Sequence, residues 1–316
     1  MNIDALLSNF GELTTQGLAQ GAIYALFALG YTLVYGVLRL INFAHSEVFM
    51  VGTFAAIVVW GWFGLDQNSA PPGLGMVLFY LLVGLVAACL VSAATALLIE
   101  RVAYRPLRRR NAPTLAFLIT AIGASVVISE AVGVWTRRRP VGAPPLVRQK
   151  DVITIGNTTI SNLEIGIFVL ALVLMLALDV FINRSRLGRG VRAVAQDPNT
   201  AALMGVNKDR VIALIFLIGG LMAGAAAVMY DLKITGTNNT AGFDIGIKAF
   251  AAAVLGGIGN LRGALLGGLL LGVLETWGSG LFGTEWIGVV AFVVLVVILL
   301  FRPTGLLGES LGRARA

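Results

Sequence analysis

Asn42, His45, Ser46 and Glu47 crowd into one polar run, RLINFAHSE, set between two long apolar stretches. His45 is the only histidine in the chain. An imidazole beside a carboxylate can carry protons near neutral pH. The same amide, hydroxyl and carboxylate groups can instead offer donors and acceptors to a polar solute. They do not make a metal site, since zinc takes three or four protein ligands. No Ser-His-Asp arrangement accompanies them, and Cys89, the single cysteine, can form no internal disulfide. We read the run as the lining of a substrate path. The proton-relay alternative remains open at this point.

A second candidate is GRGVRAVAQDPNTAALMGVNKDR, Gly188 to Arg210, polar and basic between apolar runs. Asp197 is a good N-cap, because its carboxylate can accept from the free N–H groups of a first turn. Pro198 suits the first helical position, where a missing N–H costs nothing. Asn199 to Met204 would form a short helix with an apolar face of Ala201, Leu203 and Met204. Gly205 can end it in the left-handed conformation, with Val206 folding back. Such a helix is either a plain surface connector or a knob shaped for another protein's groove.

A third is AVLGGIGNLRGALLGGLLLG, Ala253 to Gly272. Glycine this dense in an apolar run means close helix packing or a broken helix lining a path. Gly256, Gly257, Gly259 and Asn260 are the path candidates here, as a broken-helix element whose free backbone groups can hold a solute; the stretch also has a likeness to the polar break at Asn42–Glu47. The two would be related members of a repeat.

The elements that position these groups must be membrane spans. The chain of 316 residues is 58% hydrophobic and 12% charged, with a mean hydropathy of +0.89; a soluble domain carries about 25% charged residues. That leaves no room for a separate soluble catalytic domain. A net charge of +7 is expected of loop arginines that set orientation and meet anionic lipid, so no nucleic-acid partner is inferred. Met1 to Glu12 has no Lys or Arg, unlike a signal peptide. Apolar runs predict an all-α polytopic protein of about 8–9 spans, starting at Leu13, with a glycine-rich segment at Ile245–Ile258 short enough to be re-entrant. Within one transmembrane domain, 1–316, we distinguish a first half (13–182), a cytoplasmic region (184–210), a second half (211–301) and a basic tail (302–316). Glu100–Asn111 reads as a basic loop, and Val152–Ile160 as a short hairpin. Gly17 and Gly21 form a pair that admits a close helix neighbour. Glu130, Asp179, Lys248 and Glu275 are read as structural. Loop arginines place residues 184–210 and the C-terminus in the cytoplasm; with nine spans the N-terminus faces out. The arginines at 137–139 run against that rule, and nothing in the sequence explains them.

Three stretches together resemble one family: GLAQGAIYALFALGYTLVYGVLRLINFAHSEVFMVGTFAA, RAVAQDPNTAALMGVNKDRV and AVLGGIGNLRGALLGGLLLGVLE. They look like the signature regions of bacterial branched-chain amino acid ABC transporter permeases, in matching order over nearly the whole chain, and most like the shorter permease subunit. The resemblance implies an inner-membrane importer with a second permease subunit, two cytoplasmic ATPases that hold ATP and magnesium, and a periplasmic substrate-binding protein. It implies that Arg192, Asp197, Pro198, Met204 and Gly205 belong to a helix that couples to an ATPase; Ala201 and Leu203 join them from the residue reading. Ser46 stands where glycine is usual. Members also carry urea or short amides, so the substrate stays open. No G-x-x-x-x-G-K-[ST] loop occurs, so this chain is not itself read as an ATPase or an enzyme, and no cofactor is expected in it. A proton-coupled carrier and a passive channel are the competing classes.

Overall fold

The computed structural model describes residues 3–155, 158–302 and 304–308. Among these, eight helices are long and apolar enough to cross a membrane. In chain order the helices are α1 (Ile3–Ser8), α2 (Phe10–Leu38), α3 (His45–Trp62) and α4 (Leu74–Ile99). A π-helical turn (Glu100–Tyr104) leads into α5 (Arg105–Arg109), followed by α6 (Thr114–Trp135) and α7 (Asn162–Arg184). Next come α8 (Arg186–Gln196), α9 (Pro198–Leu203) and α10 (Lys208–Ile234). The chain closes with α11 (Ala241–Gly256), α12 (Leu261–Phe282), a 3-10 turn (Thr284–Trp286) and α13 (Ile287–Phe301). Most of the basic tail foreseen at 302–316 lies outside the described residues.

The short strands lie between helices. Strand β1 (Val141–Gly142) pairs with β4 (Gly236–Thr237), and β2 (Asp151–Ile155) with β3 (Thr158–Ser161), both antiparallel. The second pair is the hairpin foreseen at Val152–Ile160.

Helices α2 and α10 form the buried axis. Residues 21–34 of α2 are buried on every side, which an all-round apolar helix requires. Its tightest neighbour is α12, met through glycine. A Cβ on Gly21 would lie 2.7 Å from Gly268 O, and one on Gly272 2.3 Å from Gly21 N, so only hydrogen fits at this crossing. The outer helices turn apolar side chains outward, such as Leu78 and Leu82 on α4 and Val293 and Leu300 on α13, as lipid contact demands.

Two helices start inside the bundle. The ring of His45, first residue of α3, packs where a Cβ on Gly30 would stand, 2.0 Å from its Nε2. Gly30 is roughly 12 Å short of the end of α2 at 1.5 Å per residue. Gly242, near the start of α11, lies beside Ser46, its Cβ position 2.6 Å from Ser46 O. Each helix follows a long one that ends on a left-handed non-glycine residue, Arg39 (φ 53°) after α2 and Thr235 (φ 55°) after α10. From there the chain runs back into the bundle and starts a new helix. The first does so from the end that carries α8 and α9, the second from the end that carries the hairpin.

This arrangement differs from the sequence reading in two ways. The partner of the polar break at Asn42–Glu47 is Thr235–Gly242, not the glycine run at 256–260. And Glu100–Asn111 is helical through Arg109, not a loop. Pro106 would clash with the carbonyl one turn back in a plain α-helix. The wider π turn just before it, closed by Arg105 N on Glu100 O, lets the helix continue.

Candidate functional site

The residues singled out in sequence fall into three places. Asn42, His45, Ser46 and Glu47 come together where α3 begins, and all four are buried. Backbone bonds from His45 N to Asn42 O (3.1 Å), Ser46 N to Phe43 O (3.3 Å) and Glu47 N to Ala44 O (3.2 Å) form the first turn. The Ser46 hydroxyl donates to Phe43 O at 2.6 Å and lies 3.2 Å from Glu47 Oε1. Ser125 of α6 donates to the same Glu47 oxygen at 3.0 Å. Tyr104 donates to Asn42 Oδ1 at 2.8 Å. His45 packs between Phe27, tilted to it, and Tyr31, edge-on to it, with ring centroids 5.3 Å and 5.1 Å away.

Glu47 stands apart from the other acids considered in sequence. Glu130 pairs with Arg138, Asp179 with Arg262 (3.6 Å) and Glu275 with Lys248 across α11 and α12. Among the described residues Glu47 has no cationic partner, and its Oε2 has no hydrogen-bond partner. Beside it opens a mainly apolar cavity of about 260 Å³, lined by Tyr31, Phe43, Ser46, Ile122, Ser125, Val126, Phe243, Gly246, Ile247 and Phe250. Phenyl and aliphatic walls with two serine hydroxyls suit an apolar side chain carried by a small polar group. Tyr31, Ser125 and Phe250 were not foreseen, because each stands alone in an apolar run and only the fold gathers them.

Gly256, Gly257, Gly259 and Asn260 are elsewhere. They form the tight turn from α11 into α12 at the α8–α9 end. Gly257 (φ 105°) and Gly259 (φ 98°) supply its left-handed backbone. Asn260 caps α12, its Oδ1 accepting from Arg262 N (3.0 Å) and Gly263 N (3.1 Å). Residues 304–308 close over the turn, with Leu306 N bonded to Leu255 O (2.8 Å) and Leu307 N to Gly256 O (2.9 Å). These glycines therefore do not join the cluster around His45. Gly259 and Asn260 share a separate cavity of about 1030 Å³ with Arg39, Asn183, Arg192 and Arg262.

The third place is α9. Asp197 Oδ1 accepts from Asn199 N (2.8 Å) and Thr200 N (3.3 Å), and Pro198 takes the first helical position. The Thr200 hydroxyl, and then these two N–H groups, hold the Asp197 carboxyl below the usual carboxylate range. Gly205 (φ 85°) ends the helix, and Val206 N returns to Ala201 O at 3.0 Å. The apolar face divides. Ala201 is buried against the bundle, whereas Leu203 is 88% and Met204 81% exposed. Arg192 is exposed but reaches back to α7, donating to Ile182 O (2.8 Å) and Asn183 Oδ1 (3.1 Å). It fastens α8 to the last turn of α7, where a cation also offsets the helix dipole.

A broken-helix pair at the core and a capped helix at one end suit a transport subunit. The family model for the permease component of branched-chain amino acid transport systems matches residues 13–299. The chain belongs to this family. The permease is 45% identical over 299 residues to the high-affinity branched-chain amino acid transport system permease protein BraD of Pseudomonas aeruginosa, covering 93% of this chain and 94% of the relative. It is 41% identical over 298 residues to the high-affinity branched-chain amino acid transport system permease proteins LivH of Salmonella typhimurium and Escherichia coli, with the same coverage.

Proposed function

We propose that this permease is one membrane subunit of an ATP-driven importer for branched-chain amino acids. The observation that carries the reading is the cavity at the α3 and α11 starts. Its apolar walls suit a branched side chain, and the Ser46 and Ser125 hydroxyls that line it, backed by the buried Glu47 carboxylate, favour an ammonium group. A substrate handed over by a binding protein needs only weak contacts here, because tight binding would slow release. Asn42 and His45 complete the polar edge of the path. The glycines at 256–260 then serve the turn at the cytoplasmic mouth.

Energy comes from partners. Leu203 and Met204 form the contact with a cytoplasmic ATPase, on a helix whose caps lower the ordering cost of binding. Arg192, Asp197, Pro198, Ala201 and Gly205 hold that contact in shape. ATP and magnesium sit on two such ATPase subunits. A second permease, homologous or identical, completes the membrane core, and a periplasmic protein delivers the amino acid. Arg39, Arg101–Arg110, Arg186–Arg192 and Arg262 all lie at the α8–α9 end, which supports a cytoplasmic assignment for that end in the bacterial inner membrane.

The test uses the full complex in vesicles with radiolabelled leucine. Uptake is expected only with ATP on the α8–α9 side, and a cysteine at Met204 should crosslink to an ATPase subunit. Uptake driven by a pH gradient alone would overturn the ATP-driven reading. Urea transport in preference to leucine would overturn the substrate.

A further inference from the structure

Asn42 is held by a residue that belongs to a different part of the fold. Tyr104, which donates to it, is 1% exposed and ends the π-helical turn Glu100–Tyr104. Its ring packs on Phe216 of α10 at 5.3 Å between centroids. Glu100, which begins the turn, is wholly buried. Glu100 Oε1 accepts from Arg108 Nη2 at 2.9 Å, and the same guanidinium reaches Asp209 Oδ1 at 2.8 Å through Nη2 and 3.2 Å through Nε. Arg105 Nε lies 3.9 Å from a carboxylate oxygen of each acid. Asp209 is in the first turn of α10, just after the Gly205 end of α9.

One five-residue turn is thus tied at both ends. A buried carboxylate left without its cation is strongly penalised, so Glu100 stays with Arg108 and, through it, with the foot of α10. The other end holds the α3 break by one buried hydrogen bond. π turns are rare and tend to appear where function calls for them.

We propose that Tyr104 is a positioning residue for translocation. Through the π turn it links Asn42, and so the start of α3, to the Glu100–Arg108–Asp209 cluster beside α9. A shift of α9 imposed by an ATPase then reaches the path through this link. The proposal rests on the ATP-driven reading above.

The experiment compares Tyr104→Phe with the unmutated protein in the reconstituted complex with its ATPases and binding protein. Phenylalanine keeps the ring and removes only the hydroxyl. Leucine taken up per ATP hydrolysed is expected to fall about fivefold, the scale of one buried hydrogen bond. The amount of assembled complex and its hydrolysis without binding protein should not change, which a merely structural role would not produce. Glu100→Gln should lower the same ratio, and the double variant should be no worse than the poorer single one, as members of one link are non-additive. If Glu100→Gln fails to assemble, Arg108→Lys replaces it, since lysine cannot bridge both acids as a fork. An unchanged ratio in Tyr104→Phe, or fully additive losses, would overturn the link alone. ATP-independent uptake by the unmutated complex would overturn the ATP-driven reading, and the link with it.

Discussion

The two helices that begin inside the bundle share a plan and differ in chemistry. Both α3 and α11 follow a long buried helix, a left-handed turn at a non-glycine residue and a short return of the chain. The start of α3 carries His45, Ser46 and Glu47, all buried. The start of α11 carries Gly242 and Gly246, with Asp244 exposed. The polar groups sit on one side of the meeting point and the space for them on the other. A Cβ on Gly246 would lie 2.6 Å from Ser46 Cβ, and one on Gly242 2.9 Å from Glu47 Oε2. Division of labour within a repeated plan is the lesson: one copy supplies chemistry, the other close approach.

The harshest way to break that arrangement is to fill the space. Gly242→Leu puts side-chain atoms against Ser46 O, which is backbone and cannot rotate away. Overpacking costs roughly 1–3 kcal/mol where neighbours can shift, and more where they cannot. Leucine uptake per assembled complex should fall at least about 100-fold, equivalent to ~2.7 kcal/mol. Gly166→Leu on α7, where a Cβ meets nothing within 4 Å, is the control and should transport normally. Near-normal uptake in Gly242→Leu would mean that α11 need not approach α3 this closely.

A milder change tests the polar side. Glu47→Gln keeps the shape and removes the charge. We expect uptake to fall about tenfold, ~1.4 kcal/mol, while remaining dependent on ATP. Asp244→Asn, the matching change on the other helix, should alter uptake less than about twofold, because that carboxylate is exposed and a surface charge is worth little. Equal losses in the two variants would erase the distinction between the helices. His45→Gln adds a discriminating measurement: uptake that tracked an imposed pH gradient and vanished in this variant would return the run to a proton relay.

Much of this was legible in the sequence, for reasons particular residues make plain. Length and apolarity marked the spans. The caps of α9 were written as Asp197-Pro198 and Gly205, since local backbone chemistry acts within a few residues. The polar break at Asn42–Glu47 stood out because ionisable groups are scarce in apolar runs. Its partner did not, because Thr235–Gly242 carries no such group and its meaning is purely spatial. For the glycines at 256–260, a run dense in glycine signals close backbone, and only the fold shows that it builds the turn into α12 and, at Gly259, borders the larger cavity. Ser125, Tyr104 and Glu100 were passed over because their partners are distant in sequence: 78 residues separate Ser125 from Glu47 and 62 separate Tyr104 from Asn42. The divided face of α9 also needed the fold, since Ala201 and Leu203 look alike until one of them meets the bundle.

The gentlest test uses α6, which serves both breaks with hydroxyls one turn apart. Ser125 donates to Glu47 Oε1 at 3.0 Å, on the α3 side. Ser129, four residues on and therefore on the same helix face, donates to Asn239 O at 2.7 Å, on the α11 side. Alanine at either position removes one hydrogen bond, worth about 0.5–1.5 kcal/mol net. If the two breaks differ as argued, the losses should appear in different observables. Ser125→Ala leaves Glu47 with one fewer donor beside the cavity, so uptake should slow about two- to fivefold at unchanged thermal stability. Ser129→Ala loosens a backbone carbonyl in the segment leading into α11, away from Glu47. Its cost should appear as earlier thermal unfolding of the detergent-solubilised complex, with the uptake rate of the surviving fraction intact. The exchange of these outcomes would reverse the assignment, making the α11 approach the part that handles substrate and the α3 break the part that holds the fold.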